Sequence, residues 1–229
     1  RVLTFLLLCR TCKSKERVEG CKIMTDNDKS PLLLDGMDAD PLKQFVRWFH
    51  EAEQAEIPMA NAMSLATADR QSKPSARMVL LKGVDDRGFL FFTNYAGRKA
   101  RELQENPFAA LVIHWLPLSR QVRVEGSVER LGPDESDAYF ASRPRGHQIE
   151  AHASQQSQVI ESRESLDQQF DSLCLQFAGQ DVPRPLHWGG YRVVPDVLEF
   201  WQEGESRLHD RLRYRRDKAD HWVIERLAP

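Results

Sequence analysis

Residues 62–94 read AMSLATADRQSKPSARMVLLKGVDDRGFLFFTN. Three runs dominated by apolar residues, 62–68, 76–82 and 89–94, are separated by Asp69-Arg70-Gln71-Ser72 and by Asp85-Asp86-Arg87-Gly88. Short runs of this kind bounded by turn-forming residues predict consecutive antiparallel strands. The pattern continues on both sides. Upstream, Asp40-Pro41 supplies an N-cap and a proline at the first helical position. Leu42, Phe45, Val46 and Phe49 then recur at i, i+3, i+4, i+7, which predicts an amphipathic helix over 41–55. Downstream, Gly97-Arg98-Lys99 opens a short helix that stops near Asn106-Pro107, and 108–115 and 120–131 read as two more strands. Helices follow over 133–142 and over 163–178. The second rests on Leu166, Phe170, Leu173, Cys174 and Phe177, and Pro183 and Pro185 end it. Strands over 190–194, 197–202, 207–214 and 222–226 close the chain. Six to eight antiparallel strands with flanking helices predict an α+β barrel.

Composition agrees with a globular protein able to bury a sizeable core. The chain has 229 residues, 41% hydrophobic and 29% charged, with a formal net charge of −2. That balance argues against a protein built to coat nucleic acid. Residues 1–23 differ from the rest: six cations oppose only Glu16 and Glu19, and Cys9, Cys12 and Cys21 are three of the four cysteines. Residues 1–37 therefore read as an extra N-terminal tail, disordered or outside the mature fold. The domain reads as 38–229. The apolar run 2–8 is too short to span a bilayer. Nothing indicates a disulfide scaffold, which fits a reducing, cytoplasmic compartment.

Familiar catalytic signatures are absent. The chain has no GxGxxG, GxxxxGK[ST], HExxH or GxSxG motif, and its seven histidines show no metal-ligand spacing. Cations placed beside strands remain. Residues 199–216 read EFWQEGESRLHDRLRYRR. As a strand from 207, this stretch would put Arg207, His209, Arg211, Arg213 and Arg215 on one face. Such a face is either a solvated edge or a wall for an anion. Arg77 and Lys82 bracket an apolar strand, where their stems can snorkel. Arg98 and Lys99 sit at a helix start, where free N–H groups and the helix dipole favour phosphate. Gln121 and Arg123 share one strand face. Arg143 follows Tyr139 at a helix end, an ordinary capping position. Each cation has a structural explanation; together they form a set of donors suited to a phosphorylated, planar ligand.

Nine ordered segments carry a specific resemblance: ARMVLLKG (76–83), FFTN (91–94), GRKARELQENP (97–107), RQVRVEG (120–126), YFASRPR (139–145), WGGYRV (188–193), EFWQ (199–202), RLHDR (207–211) and ERLAP (225–229). Over about 38–229 the chain resembles the pyridoxine/pyridoxamine 5′-phosphate oxidase family. The resemblance implies an FMN-binding split barrel with a C-terminal dimerisation region, and a homodimer with FMN at the subunit interface. It implies FMN contacts from Arg77, Met78, Val79, Leu80, Phe92, Thr93, Arg98, Lys99, Gln121, Gln156, Ser157, Trp201 and Arg211. Substrate contacts would come from Lys82, Tyr139, Arg143, His147, Arg207, Leu208 and His209, with Arg207 and His209 closest to the reacting carbon. No metal is implied. The implied reaction oxidises pyridoxine or pyridoxamine 5′-phosphate with O2 to pyridoxal 5′-phosphate, releasing hydrogen peroxide. Partners are those substrates and a second copy of the chain, with no nucleic acid and no membrane.

Three departures keep a second reading open. His147 stands where the family usually has serine, and Glu150 where it usually has glycine. The family's N-terminal arginine–tyrosine lid motif is not visible before Asp38. Glutamate at 150 would strain a left-handed turn, or would repel a phosphate nearby. The alternative is a catalytically weakened paralogue that serves as an FMN- or pyridoxal-phosphate-binding module.

Overall fold

The structure, a computed structural model, describes residues 31–229. The charged segment with Cys9, Cys12 and Cys21 lies outside the described residues. The compact unit runs from Pro31 to Pro229. Its start precedes the boundary at 38 read from the sequence, and the extra residues pack with the domain. The Leu32 N–H donates to Asp210 Oδ2 at 3.0 Å, and Leu32 and Met37 rest on the core.

Five helices flank one sheet. They are α1 (Pro41–Gln54), α2 (Arg98–Glu105), α3 (Pro133–Ser142), α4 (Arg145–Ala153) and α5 (Arg163–Gln176). The nine strands are β1 (Ala62–Ala68), β2 (Pro74–Leu80), β3 (Gly83–Val84), β4 (Phe89–Asn94), β5 (Phe108–Trp115), β6 (Arg120–Arg130), β7 (Trp188–Gln202), β8 (Asp210–Arg216) and β9 (Trp222–Arg226). Every strand pair is antiparallel. The order is β2-β1-β5-β6-β7-β4-β3, with β8 on β7 and β9 on β8.

The sheet curls because β7 serves two neighbours on one edge. Its first half pairs with β4, and its second half with β8, while β6 runs along the other edge throughout. The two strands expected at 190–194 and 197–202 are thus one strand. Pro195 cannot donate a ladder bond, and the register shifts opposite it between Glu125 and Gly126. Only glycine fits there: a Cβ on Gly126 would lie 2.0 Å from the Val194 carbonyl oxygen.

α1 plugs the inner face of the curl. Asp40 Oδ1 accepts from Leu42 N–H at 2.9 Å, the cap expected from the sequence. Phe45 meets Phe89 edge-on at 4.8 Å between centroids, and Trp48 meets Phe200 likewise at 5.1 Å. A second, smaller core of Phe140, Ile149, Ala151, Val182 and Trp188 joins α3, α4 and the start of β7, with Cys174 of α5 against it. The helix α4 is a feature the sequence pattern did not predict. Its apolar residues Ile149, Ala151 and Ala153 are too few and too close to show a helical period. Among the described residues, no helix is long and apolar enough to cross a membrane.

Candidate active site

The start of α2 concentrates positive charge. Its N-cap, Gly97, makes no side-chain capping bond, and the Arg98 N–H donates to Ser157 Oγ at 3.2 Å. Lys99 is buried, an unusual place for an ammonium. Its Nζ donates to Thr93 Oγ1 at 3.0 Å and to Gln156 Oε1 at 2.5 Å. Burial, and then the charge of Arg77, push the Lys99 ammonium down to about 8. Behind it, Arg77 of β2 donates to Thr67 Oγ1, Ser75 Oγ and Glu102 Oε2. Arg98 Nε reaches the other oxygen of Glu102 at 2.7 Å. Burial would raise the Glu102 carboxyl. Hydrogen bonds from Ser75, Thr67, Arg98 and Arg77 outweigh it and hold the group at about 2. Glu102 is therefore a fixed anion that orients two arginines. A helix start whose N-cap is a glycine, a buried ammonium and two oriented guanidinium groups form a donor set whose chemistry fits a phosphate monoester.

A cleft of about 530 Å³ opens beside this cluster. Lys82, Tyr139, Arg143 and His147 line it together with Leu80, Phe92, Thr93 and Gln156. Its aromatic side is stacked: Phe92 lies 3.8 Å from Tyr139 between centroids, and Tyr139 is parallel to Trp188. The Arg143 guanidinium sits 4.5 Å above the Trp188 ring. Arg143 is also the C-cap of α3, as its position predicts: its backbone N–H donates to the Phe140 carbonyl at 3.1 Å, while its side chain makes this cation–π contact. Its Nη1 is buried without a hydrogen-bond partner, while Nη2 lies 3.6 Å from Glu150 Oε2. Burial lowers the Arg143 pKa, against the opposing pull of Glu150. Glu150 lies within α4 and is not among the residues with left-handed backbone. Of the two consequences considered for it, strain is excluded and proximity to the basic cleft is observed.

A third group lies on β6, β7 and β8. Gln121, Trp201 and Arg211 are direct neighbours across the three strands, and so share one face in a single row. Glu199 Oε1 and Oε2 accept from Arg211 at 2.8 and 3.0 Å, and this bond, ahead of the cost of burial, raises the Arg211 pKa. The His209 ring lies 4.9 Å from that of Trp201. The five-cation strand face expected from residue 207 is corrected here. β8 begins at Asp210, so Arg211, Arg213 and Arg215 share a face. Arg207 lies in a single 3-10 turn, Glu205–Arg207, and precedes Leu208 and His209. Ser206 and Arg207 both take left-handed φ, 52° and 65°, which a strand cannot accommodate. Leu208 is 72% exposed. His209 Nδ1 accepts from the Gly204 N–H at 3.3 Å, which leaves the ring proton on Nε2.

The expected residues thus fall into two sets. Arg77, Thr93, Arg98, Lys99, Gln156 and Ser157 surround the α2 start, next to the cleft with Leu80, Lys82, Phe92, Tyr139, Arg143 and His147. Val79 packs on the core, and Met78, on the opposite face of β2, is 65% exposed. Gln121, Trp201, Arg207, Leu208, His209 and Arg211 do not line the cleft. Two contributors escaped the sequence reading. Glu102 was signalled only by its i, i+4 spacing from Arg98. Trp188 stands in a quoted segment without an assigned role, because an aromatic before two glycines reads as core.

Residues 49–175 match the pyridoxamine 5′-phosphate oxidase family, and residues 188–229 match the pyridoxine 5′-phosphate oxidase C-terminal dimerisation region. The chain belongs to the pyridoxamine 5′-phosphate oxidase family. A pyridoxine/pyridoxamine 5′-phosphate oxidase of Paraburkholderia phymatum is 55% identical over 193 residues, 84% of this chain and 91% of the relative. One of Salinibacter ruber is also 55% identical, over 88% of this chain and 94% of the relative. Among solved structures, PhzG of Burkholderia lata, in complex with tetrahydrophenazine-1-carboxylic acid, superposes with a TM-score of 0.82 at 32% identity. The match covers 86% of this chain and 98% of PhzG. A pyridoxamine 5′-phosphate oxidase-related, FMN-binding protein of Nostoc punctiforme shares the fold, with a TM-score of 0.66 at 15% identity over 84% of this chain and 100% of that one. The pyridoxamine 5′-phosphate oxidase family assignment fits the expected split barrel.

Proposed function

We propose that this protein is an FMN-dependent oxidase that converts pyridoxine 5′-phosphate and pyridoxamine 5′-phosphate to pyridoxal 5′-phosphate, acting as a homodimer. The observation that carries the reading is the adjacency of two anion sites. The donor cluster at α2 abuts a cleft holding Lys82, Tyr139, Arg143 and His147. One site suits the FMN phosphate and the other a substrate phosphate.

Arg77, Arg98, Lys99, Thr93, Gln156 and Ser157 would hold FMN. When bound, FMN supplies the oxidation, accepting a hydride from the C4′ carbon and passing the electrons to O2, which leaves as hydrogen peroxide. Lys82 and Arg143 take the substrate phosphate, with Tyr139 and His147 as further donors. The orientation they impose is the main catalytic contribution of this wall. The row Gln121, Trp201, Arg211 and the turn Arg207-Leu208-His209 belong to the same reaction from a second copy, across the dimer. The C-terminal match to a dimerisation region supports that arrangement, as does the exposed Met78 of edge strand β2. His209, with its proton on Nε2, would sit over the substrate and position it or move a proton. One free cysteine, Cys174, among the described residues agrees with a reducing cytoplasm.

The second reading, an FMN-binding module of weakened activity, is favoured by Glu150 facing Arg143. Purified protein reconstituted with FMN separates the two. Pyridoxine 5′-phosphate should bleach the flavin without air and yield peroxide with air. A yellow protein that never bleaches would support the module, and a protein that takes up no FMN would defeat both. PhzG, whose solved complex holds a tetrahydrophenazine carboxylic acid, makes that ligand class a useful control. The cations of the cleft favour the phosphorylated substrate over it.

A further inference from the structure

The cleft contains one acid among the described residues that line it. Glu150 projects from α4 with its side chain 54% exposed, whereas the Arg143 side chain it faces is 14% exposed. Their closest approach, 3.6 Å, is an ion pair too long for a hydrogen bond. The Arg143 guanidinium also rests over the Trp188 ring and keeps one nitrogen buried without a partner. The guanidinium is thus held against an aromatic ring, incompletely satisfied, and faced by a carboxylate whose side chain is largely exposed to solvent. Any anion that uses the fork of Arg143 must meet Glu150 there. A doubly charged phosphate competes well against a single carboxylate, while a weaker anion competes poorly.

We propose that Glu150 competes with the substrate's phosphate for Arg143 and so sets how tightly the cleft holds the anionic end of its ligand. Glu150 is a specificity-determining residue: it loosens binding of every anion at Arg143 and leaves a phosphate dianion as the species able to displace it. The inference rests on the reading of this cleft as the seat of a phosphorylated substrate.

The test uses the FMN-loaded full chain and two probes. Inorganic phosphate is titrated by calorimetry into the wild type, Glu150→Gln, Arg143→Ala and the double variant. Glu150→Gln should tighten phosphate about threefold to tenfold, in the range of a partly exposed ion pair. That gain should vanish in the Arg143→Ala background. With pyridoxine 5′-phosphate, the same substitution should lower KM by a similar factor, and unphosphorylated pyridoxine should show no such change. An unchanged or weaker phosphate affinity in Glu150→Gln would overturn the proposal. So would a gain that persists without Arg143. If phosphate tightens as expected but no variant turns over pyridoxine 5′-phosphate, the oxidase reading fails and the role of Glu150 stands.

Discussion

The start of α2 and the turn before β8 are both basic, and they are built in opposite ways. At α2 each cation is anchored within the chain: Arg77 and Arg98 on Glu102, Lys99 on Thr93 and Gln156. Lys99 and Glu102 are buried, and Glu102 ties down both Arg77 and the more exposed Arg98. At the turn, Arg207 and Leu208 are exposed, on a backbone with two successive left-handed residues. The first region holds its donors in place by contacts within the chain, as the proposed phosphate site requires. The second is displayed outward and gains its meaning from what faces it. The difference suggests a division of labour: cofactor retention rests on the interior cluster, turnover on the displayed turn.

The sharpest way to break that division is to remove the buried ammonium. Lys99→Met should weaken FMN binding about 100-fold, the loss of charge-assisted hydrogen bonds worth about 2–3 kcal/mol. Titration followed by flavin fluorescence reads it directly. A loss below about threefold would mean that the phosphate is held elsewhere. The complementary test lies at the turn. Arg207→Ala or His209→Ala should cut kcat/KM about 10-fold to 100-fold, in the range of a positioning or proton-handling group. The FMN dissociation constant should stay within about threefold, because neither residue touches the α2 cluster. If either change mainly expelled FMN, the two regions would not be separable.

The contrast also explains what could be read in advance. Strands β1, β4, β5 and β9 and helix α3 fall where apolar runs and turn residues put them, because local pattern and final packing agree there. The α2 cluster was visible as Arg98-Lys99 at a helix start. Its anchor was not, since Glu102 looks like any helix-surface glutamate until β1 and β2 close over it. The turn reads as strand in the sequence because Arg207, His209 and Arg211 alternate. Alternation reports only which residues would share a face if the backbone were extended. It cannot show that Gly204 brings its Cα against Leu208, where a Cβ would lie 2.0 Å from the carbonyl oxygen. Membership of the site had the same limit: resemblance named the residues, and the fold separated them into two sets.

A smaller effect comes from pH. The Lys99 ammonium, lowered to about 8 by burial and Arg77, is charged below that value and neutral above it. An anion binds the charged form better, so FMN binding raises the group's affinity for its proton. The affinity should fall as pH rises past 8, by about tenfold between pH 7 and 9. Lys99→Met should flatten the profile while keeping the weakened affinity. A fall that survives in Lys99→Met would place the titrating group outside the α2 cluster.

The smallest expected effect tests whether the shape of the turn is functional. A left-handed backbone costs an L-residue roughly 1–2 kcal/mol, and Ser206 and Arg207 carry it in succession. Three constraints keep them there: the close approach at Gly204, the bond from Leu208 N–H to the Glu205 carbonyl at 2.8 Å, and the bond from Gly204 N–H to His209. Ser206→Gly removes the steric cost in the folded state and adds freedom to the unfolded one. The two nearly cancel, so stability should shift by less than about 1 kcal/mol. Turnover discriminates further. If the strain holds Arg207 in the geometry the reaction needs, the freed turn should lower kcat/KM about twofold to fivefold with FMN affinity unchanged. If kcat/KM stays at the wild-type value, the left-handed pair is only the shortest route from β7 into β8. The displayed turn would then owe its role to Arg207 and His209 alone, and not to the backbone that carries them.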